Sequence, residues 1–316
     1  MSGVGLMEEL GGLPVWDFPA PGDRKELPAA DAVAWRLSVD PYGDDDESFQ
    51  ECWERFTRQV DLSAVRALLV GVWGECYEND SSAVVGLITG AKDRLTSLRA
   101  FFLGDQDQEQ NEISWIEHDD VTPLLHAFPG LEVLGIRGGT GLRFPSLRHD
   151  ALHTLIVETG GLPREVVRGI GESDLPALEH LELWLGDPNY GGDTGVADLA
   201  PVLSGERLPR LRHLGIQNSP IQDEIAPAVV AAPILARLSS LSLSMGVLTD
   251  TGGEALLKGR AALSHLRRLD LHFHFLSDAM TAALPEAFPG VRVDVSEQTK
   301  PDEYRGETYR YVAVAE

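Results

Sequence analysis

The chain has 316 residues, 43% of them hydrophobic, which is enough for a substantial core in one or two domains. Fifty acidic residues against 26 basic ones give a formal net charge of −24; such a surface repels nucleic acid and anionic lipid, whose capture needs clustered Lys and Arg. Two cysteines, Cys52 and Cys76, make neither a disulfide framework nor a zinc cluster, and no long apolar run occurs. Free thiols in a reducing cytoplasm and no membrane partner are therefore expected.

Met1 to Leu10 carries Glu8 and Glu9 and lacks the basic and apolar regions of a signal peptide, so none is expected. Val33, Trp35, Leu37 and Val39 alternate, which predicts a leading strand. Asp44-Asp45-Asp46-Glu47 reads as a charge run in a loop, with Asp46 or Glu47 placed to start a helix. Phe49, Trp53, Phe56 and Val60 share one face of that helix. Residues 1–60 read as an N-terminal cap.

From there an internal repeat governs the chain. Weak copies stand at Val65/Leu68/Val70, Leu98/Phe101/Leu103, Leu131/Leu134/Ile136, Leu152/Leu155/Val157 and Leu178/Leu181/Leu183. Three strong units follow: Leu211, Leu214 and Ile216 with Ile221 and Asp223; Leu238, Leu241 and Leu243 with Leu248 and Asp250; Leu266, Leu269 and Leu271 with Leu276 and Asp278. A degenerate unit, Phe288/Val291/Val293, ends the array over residues 61–295. In each unit the leucines alternate, so they point to one side of a strand and the intervening residues to the other. One strand cannot close a core, but stacked units bury a continuous one. The predicted fold is an α/β solenoid: about nine or ten parallel strands in a curved sheet, helices on the convex side. Pro163 suits the first helical position, and Asp223, Asp250 and Asp278 stand where N-caps belong. Residues 296–316 form a tail with room for one strand.

The pattern L-x-x-L-x-L followed by an apolar residue and Asp resembles the ribonuclease-inhibitor-like class of leucine-rich-repeat proteins, most closely at Leu248-Thr-Asp-Thr-Gly-Gly-Glu-Ala-Leu256-Leu257. It departs from that class where Asn or Cys often follows the strand: Trp73, Gln106, Gly139, Gly160, Gly186, Ser219, Gly246 and His274 stand there, so a regular asparagine ladder is absent. The whole chain is also similar to an actinobacterial group of single-domain leucine-rich-repeat proteins, through Trp16-Asp17-Phe18-Pro19, Arg137-Gly-Gly-Thr-Gly-Leu-Arg-Phe144 and Tyr311-Val-Ala-Val-Ala-Glu316. That resemblance implies an accessory role in a bacterial biosynthetic gene cluster.

Signatures of chemistry are few. His265, His272 and His274 lack the spacing of a metal site, so no metal is expected. Asp105, Asp107 and Glu109 lack the glycine and the terminal glutamate of a calcium loop and read as a solvated acidic loop. Arg137-Gly138-Gly139-Thr140-Gly141 is no phosphate loop; it reads as a wide turn, with anion binding by its amides the rival. The segment from Gly186 through Tyr190 to Asp193 is a second long loop. No nucleophile elbow or metalloprotease signature occurs, so neither an enzymatic activity nor a cofactor is expected.

The outward positions of the strands are more telling: Phe102, Arg137, Glu158, Glu182, Trp184, His213, Gln217, Ser242, Ser244, Asp270 and His272. Aromatics beside Arg, Glu and His have the composition of an interface. These residues predict a scaffold that binds a protein partner on the concave face around Trp184. Three alternatives stand beside it. The segment from Tyr309 to Val314, or a long loop, folds over that face; a small-ligand-binding or enzyme-like protein uses the glycine-rich loops near Arg137 and Tyr190; or the chain is a purely structural subunit of a complex.

Overall fold

The computed structural model describes residues 4–23, 25–42 and 47–316. The acidic run Asp44–Asp46 lies outside them. Twelve strands follow one another across a single sheet in strict chain order: β1 (Glu9–Leu10), β2 (Leu13–Asp17), β3 (Ala34–Leu37), β4 (Ala67–Val70), β5 (Ala100–Leu103), β6 (Val133–Arg137), β7 (Thr154–Glu158), β8 (His180–Trp184), β9 (His213–Gln217), β10 (Ser240–Ser242), β11 (Arg268–Asp270) and β12 (Arg292–Asp294). Only β1 and β2 pair antiparallel; every later neighbour is parallel.

Register follows from the leucines. Leu134, Leu155, Leu181, Leu214, Leu241 and Leu269 stand side by side on consecutive strands, all fully buried. Each burial of this kind contributes about 1.5–3 kcal/mol. The same core takes in the apolar faces of the returning helices: α1 (Phe49–Gln59), α2 (Ser82–Gly90), α3 (Thr122–Ala127), α4 (Arg164–Glu172), α5 (Ala200–Ser204), α6 (Gln222–Val230), α7 (Asp250–Lys258), α8 (Arg260–Leu263) and α9 (Asp278–Ala287). The result is an open α/β solenoid with helices on one side of the sheet. Cys52 and Cys76 are free thiols within that core, and burial pushes Cys52 up to about 12. No helix among the described residues is long and apolar enough to cross a membrane.

Four expectations need correction. The parallel set runs from β2 to β12, eleven strands rather than nine or ten. The extra one, β2, is reached through Gly11 and Gly12, both at positive φ, the conformation a two-residue hairpin turn demands. The tail carries a hairpin, β13 (Asp302–Tyr304) with β14 (Glu307–Tyr309), rather than a single strand. Pro163 is the N-cap of α4, one residue before its first turn.

The three aspartates do not cap their own helices, because Thr249 and Ser277 already occupy the caps of α7 and α9, and Ile221 precedes α6. Instead each aspartate reaches forward to the next repeat. Asp223 accepts from the Thr249 and Gly252 amides at 2.8 and 2.9 Å, Asp250 from the Ser277 amide at 2.8 Å, and Asp278 from Gln298 Nε2 at 2.9 Å. The missing asparagine ladder is replaced in part by buried Gln106, which donates to Gly71 O, and by His274, which donates to Val295 O.

Candidate functional site

The helix-free side of the sheet is less open than the alternation of residues predicts. Phe102 is 1% exposed. Its ring lies against Gly135 on the neighbouring strand, where a Cβ would stand 2.2 Å from the ring, and it shares an apolar cluster with Leu10 and Met7 of the N-terminal segment. Arg137, Gln217, Ser242, Ser244 and Asp270 are also buried, while Glu158, Glu182, Trp184, His213 and His272 are half-buried. The physical reason is that these side chains lie across the sheet onto the next strand, and both chain ends fold back over it.

A row of charges runs beneath the N-terminal segment. Arg36 Nε stands 2.7 Å from Asp105 Oδ2, Arg137 Nη1 3.5 Å from Asp105 Oδ1, and Arg137 Nε 2.8 Å from Glu158 Oε2. The Met7 amide donates to Asp105 at 3.0 Å. Burial pushes the Glu158 carboxyl up against the pull of Arg137. Asp105, expected in a solvated loop, is wholly buried because two guanidinium groups and an amide replace its water. Asp107 does behave as a loop residue, accepting from the Glu109 and Gln110 amides.

The row continues at His180, Glu182 and His213. Burial works to raise the Glu182 carboxyl, and the two imidazoles beside it outweigh burial and bring it down to about 2. Next, Trp184 donates from Nε1 to Gln217 Oε1 at 2.9 Å, and Gln217 donates on to Ser242 and Ser244. The tail reaches Trp184: the Ala313 amide donates to Met245 O at 2.9 Å, the Val314 amide to Asn218 Oδ1 at 2.9 Å, and both residues pack with the indole. Asp270 pairs with Arg268 and with His272 Nδ1. His265 is bonded to Leu235 O and His274 to Val295 O, so the three histidines singled out by sequence do not converge.

The glycine-rich loops are packed turns. The Gly138 amide donates to Glu158 O, and a Cβ at Gly138 would meet Ile116 at 2.7 Å. In the second loop the Asp187 amide donates to Gly160 O, and Tyr190 bonds the Glu316 carboxylate of the tail.

His118 sits behind Gly138, and its neutral ring is fully satisfied. Nε2–H donates to Arg137 O at 2.9 Å and Nδ1 accepts from Ser81 Oγ at 3.1 Å. Burial pushes its pKa from 6.5 down to about 4, against the smaller pull of the Arg137 carbonyl. Between those values the unfolded chain binds a proton that the folded chain refuses, so stability falls as pH falls. This contribution is fully present above pH 6.5 and is lost by about pH 4, some ~3 kcal/mol across the window. Urea unfolding of wild type and His118→Gln at neutral and acidic pH should show a shallower acid loss in the variant. Equal pH slopes would contradict it.

What the sequence did not single out is a cleft of about 870 Å³ at the carboxyl ends of β3, β4 and β5. Tyr42, Tyr77 and Trp115 line it at 72%, 38% and 51% exposure. The two hydroxyls are 2.9 Å apart, and Tyr77 meets Trp115 edge-on with centroids 6.4 Å apart. Asp40, Glu47, Glu75, Glu109 and Glu112 share the lining, with Glu47 already paired to Arg55 at 2.7 Å, and among the described residues no Lys or Arg lines it. Each aromatic belongs to the connection that follows a strand, where no periodicity marks it; the only sequence signal is a large aromatic within a polar loop.

No protein-family model matches the chain, and no curated protein does. Among solved structures, a structural-genomics crystal structure of a protein from Bacteroides fragilis is similar with a TM-score of 0.75. Identity to it is 33%, over 79% of this chain and 70% of that one. With that identity and coverage, the chain belongs to the same family as the Bacteroides fragilis protein.

Proposed function

We propose that the protein is a non-enzymatic binding scaffold, a leucine-rich-repeat protein of the ribonuclease-inhibitor-like kind, that holds a basic segment of a protein partner in the aromatic cleft beyond β3–β5. One observation carries this reading: three exposed aromatic rings converge in a concavity that, among the described residues, is lined by five carboxylates, only Glu47 of them held by an arginine (Arg55), and by no Lys or Arg. Large solvated aromatics are unfavourable unless something covers them, and aromatic anchors dominate interface energies. An Arg or Lys side chain over Tyr or Trp gains ~0.5–2 kcal/mol from the ring quadrupole. The neighbouring carboxylates add charge pairing, and the overall −24 charge speeds encounter with a cation. In this reading the protein works in the cytoplasm, as an accessory to biosynthetic enzymes.

The cleft is favoured over the face around Trp184, whose N–H is spent on Gln217 and whose ring is partly covered by Ala313 and Val314. It is also favoured over the glycine-rich loops, where the Gly138 and Asp187 amides bond to the protein itself. Selection of a displayed random-peptide library against the full chain should enrich Arg- and Lys-bearing sequences whose association slows with added salt. Trp115→Ala, at a half-exposed side chain, should weaken a selected peptide about thirtyfold, ~2 kcal/mol, with the fold intact. Enrichment of neutral or acidic peptides, or unchanged affinity in the variant, would refute the reading.

A further inference from the structure

We propose that His180, Glu182 and His213 form a binding site for a divalent transition-metal ion, zinc or one of similar chemistry, on the open face across β8 and β9. His180 and Glu182 are two residues apart on β8 and so point to one side of the sheet. Parallel register sets His213 of β9 beside His180, and Gly215 beside Glu182. The imidazoles stack with centroids 4.1 Å apart and planes 13° apart. Both present Nε2 to one carboxylate oxygen: His180 at 3.0 Å and His213 at 3.1 Å from Glu182 Oε1. The three ligand atoms lie within 4.8 Å of one another, and no other group of three or more His, Cys, Asp or Glu among the described residues is so placed.

Ligand atoms bound at ~2.0–2.2 Å to one zinc ion stand roughly 3–3.5 Å apart. The separations from the carboxylate oxygen are therefore those a shared ion requires, and one imidazole has to turn out of the stack for both ring lone pairs to meet the ion. His213 Nε2 is buried, and its one close polar neighbour is Glu182 Oε1 at 3.1 Å, a contact poorly aligned for a hydrogen bond. A buried ring nitrogen held only by a poorly aligned contact is under-satisfied, and a metal would take it as a ligand. Room for the carboxylate comes from Gly215, where a Cβ would stand 3.0 Å from Glu182 Cγ.

Two neutral imidazoles and one carboxylate suit zinc, cobalt, nickel or ferrous iron; calcium and magnesium prefer shells of oxygen. All three side chains keep part of their surface in solvent. Three protein ligands there leave a coordination position for water or for a side chain of a docked partner. The competing account is an ion pair between the carboxylate and protonated imidazoles. The two differ in outcome, because binding an ion requires Nε2 to lose its proton or pass it to Nδ1.

The test uses the full chain without an affinity tag, stripped by chelator, titrated with zinc chloride by calorimetry and with cobalt chloride by visible absorption at neutral pH. One ion per chain is expected, with affinity falling as pH drops, and cobalt bands typical of four or five ligands. Glu182→Gln and His213→Ala should each weaken zinc ~tenfold or more, with circular dichroism unchanged, whereas His265→Ala, bonded elsewhere to Leu235 O, should bind as wild type. His180→Ala, at the most exposed of the three positions, replaces either variant that fails to fold. The proposal is overturned by the absence of saturable binding, or by one-to-one binding that persists in folded protein lacking one of these groups.

Discussion

Asp105→Asn should destabilise the protein by ~3–5 kcal/mol, the cost of breaking a buried charge pair from one side. Asp105 is fully buried, and its two oxygens serve Arg36, Arg137 and the Met7 amide. Asparagine keeps one acceptor but turns an NH2 group toward a guanidinium and removes the charge that compensates two buried cations. Part of the loss is offset, since Arg36 retains Asp17 and Arg137 retains Glu158. The Met7 bond also means that the segment over Phe102 should loosen first. Denaturant midpoints together with amide exchange at Leu10 and Phe102 would show both effects. By contrast, Asp150→Ala, which breaks an exposed pair with Arg148, should change stability by less than about 1 kcal/mol. Were Asp105→Asn as mild as that control, the charge row would not be holding the N-terminal segment.

Leu241→Ala should cost ~2–5 kcal/mol, the range for truncating a buried leucine in a packed core. Its side chain is 0% exposed between Leu214 and Leu269, in a core shared with the helices behind the sheet. Because each repeat leans only on its neighbours, the damage should be local before it is global. Exchange protection should fall across β9 to β11 while β4 and β5 keep theirs. Arg268→Ala on the adjacent strand, with its side chain half in solvent, is the control and should stay within about 1 kcal/mol. A leucine variant with wild-type stability would contradict the inward register.

The repeat made most of the fold legible. Leucines and other apolar residues at fixed spacing within each unit announce strand after strand from β4 to β12, and the side each faces follows from alternation alone. Where the reading stopped is equally physical. Alternation tells which side of a sheet a residue takes, not what will cover it, so Phe102 and Arg137 looked exposed although the N-terminal hairpin and their own lateral packing bury them. Strand β2 was hidden because Leu13-Pro14-Val15-Trp16-Asp17 carries a proline and belongs to no repeat. The aspartates were placed at the right turn but given the wrong partner, since local sequence favours a cap and cannot see the neighbouring coil. His180 was within reach: aligning Leu181 with Leu214 puts His180 beside His213. The aromatic cleft was not, because three loops distant in sequence meet only once the coils are stacked.

The bonds of the Ala313 and Val314 amides to Met245 O and Asn218 Oδ1 have a mechanical meaning. They close a noncovalent ring around the last repeats, so β11 and β12 lie inside a loop whose clasp is at the ends of β9 and β10. A force applied at the C-terminus would load that clasp and the middle of the array before it reached β12. The final coil, which in an open solenoid is the first to fray, is thereby shielded, and mechanical unravelling would begin with the release of a strap rather than with the peeling of an end.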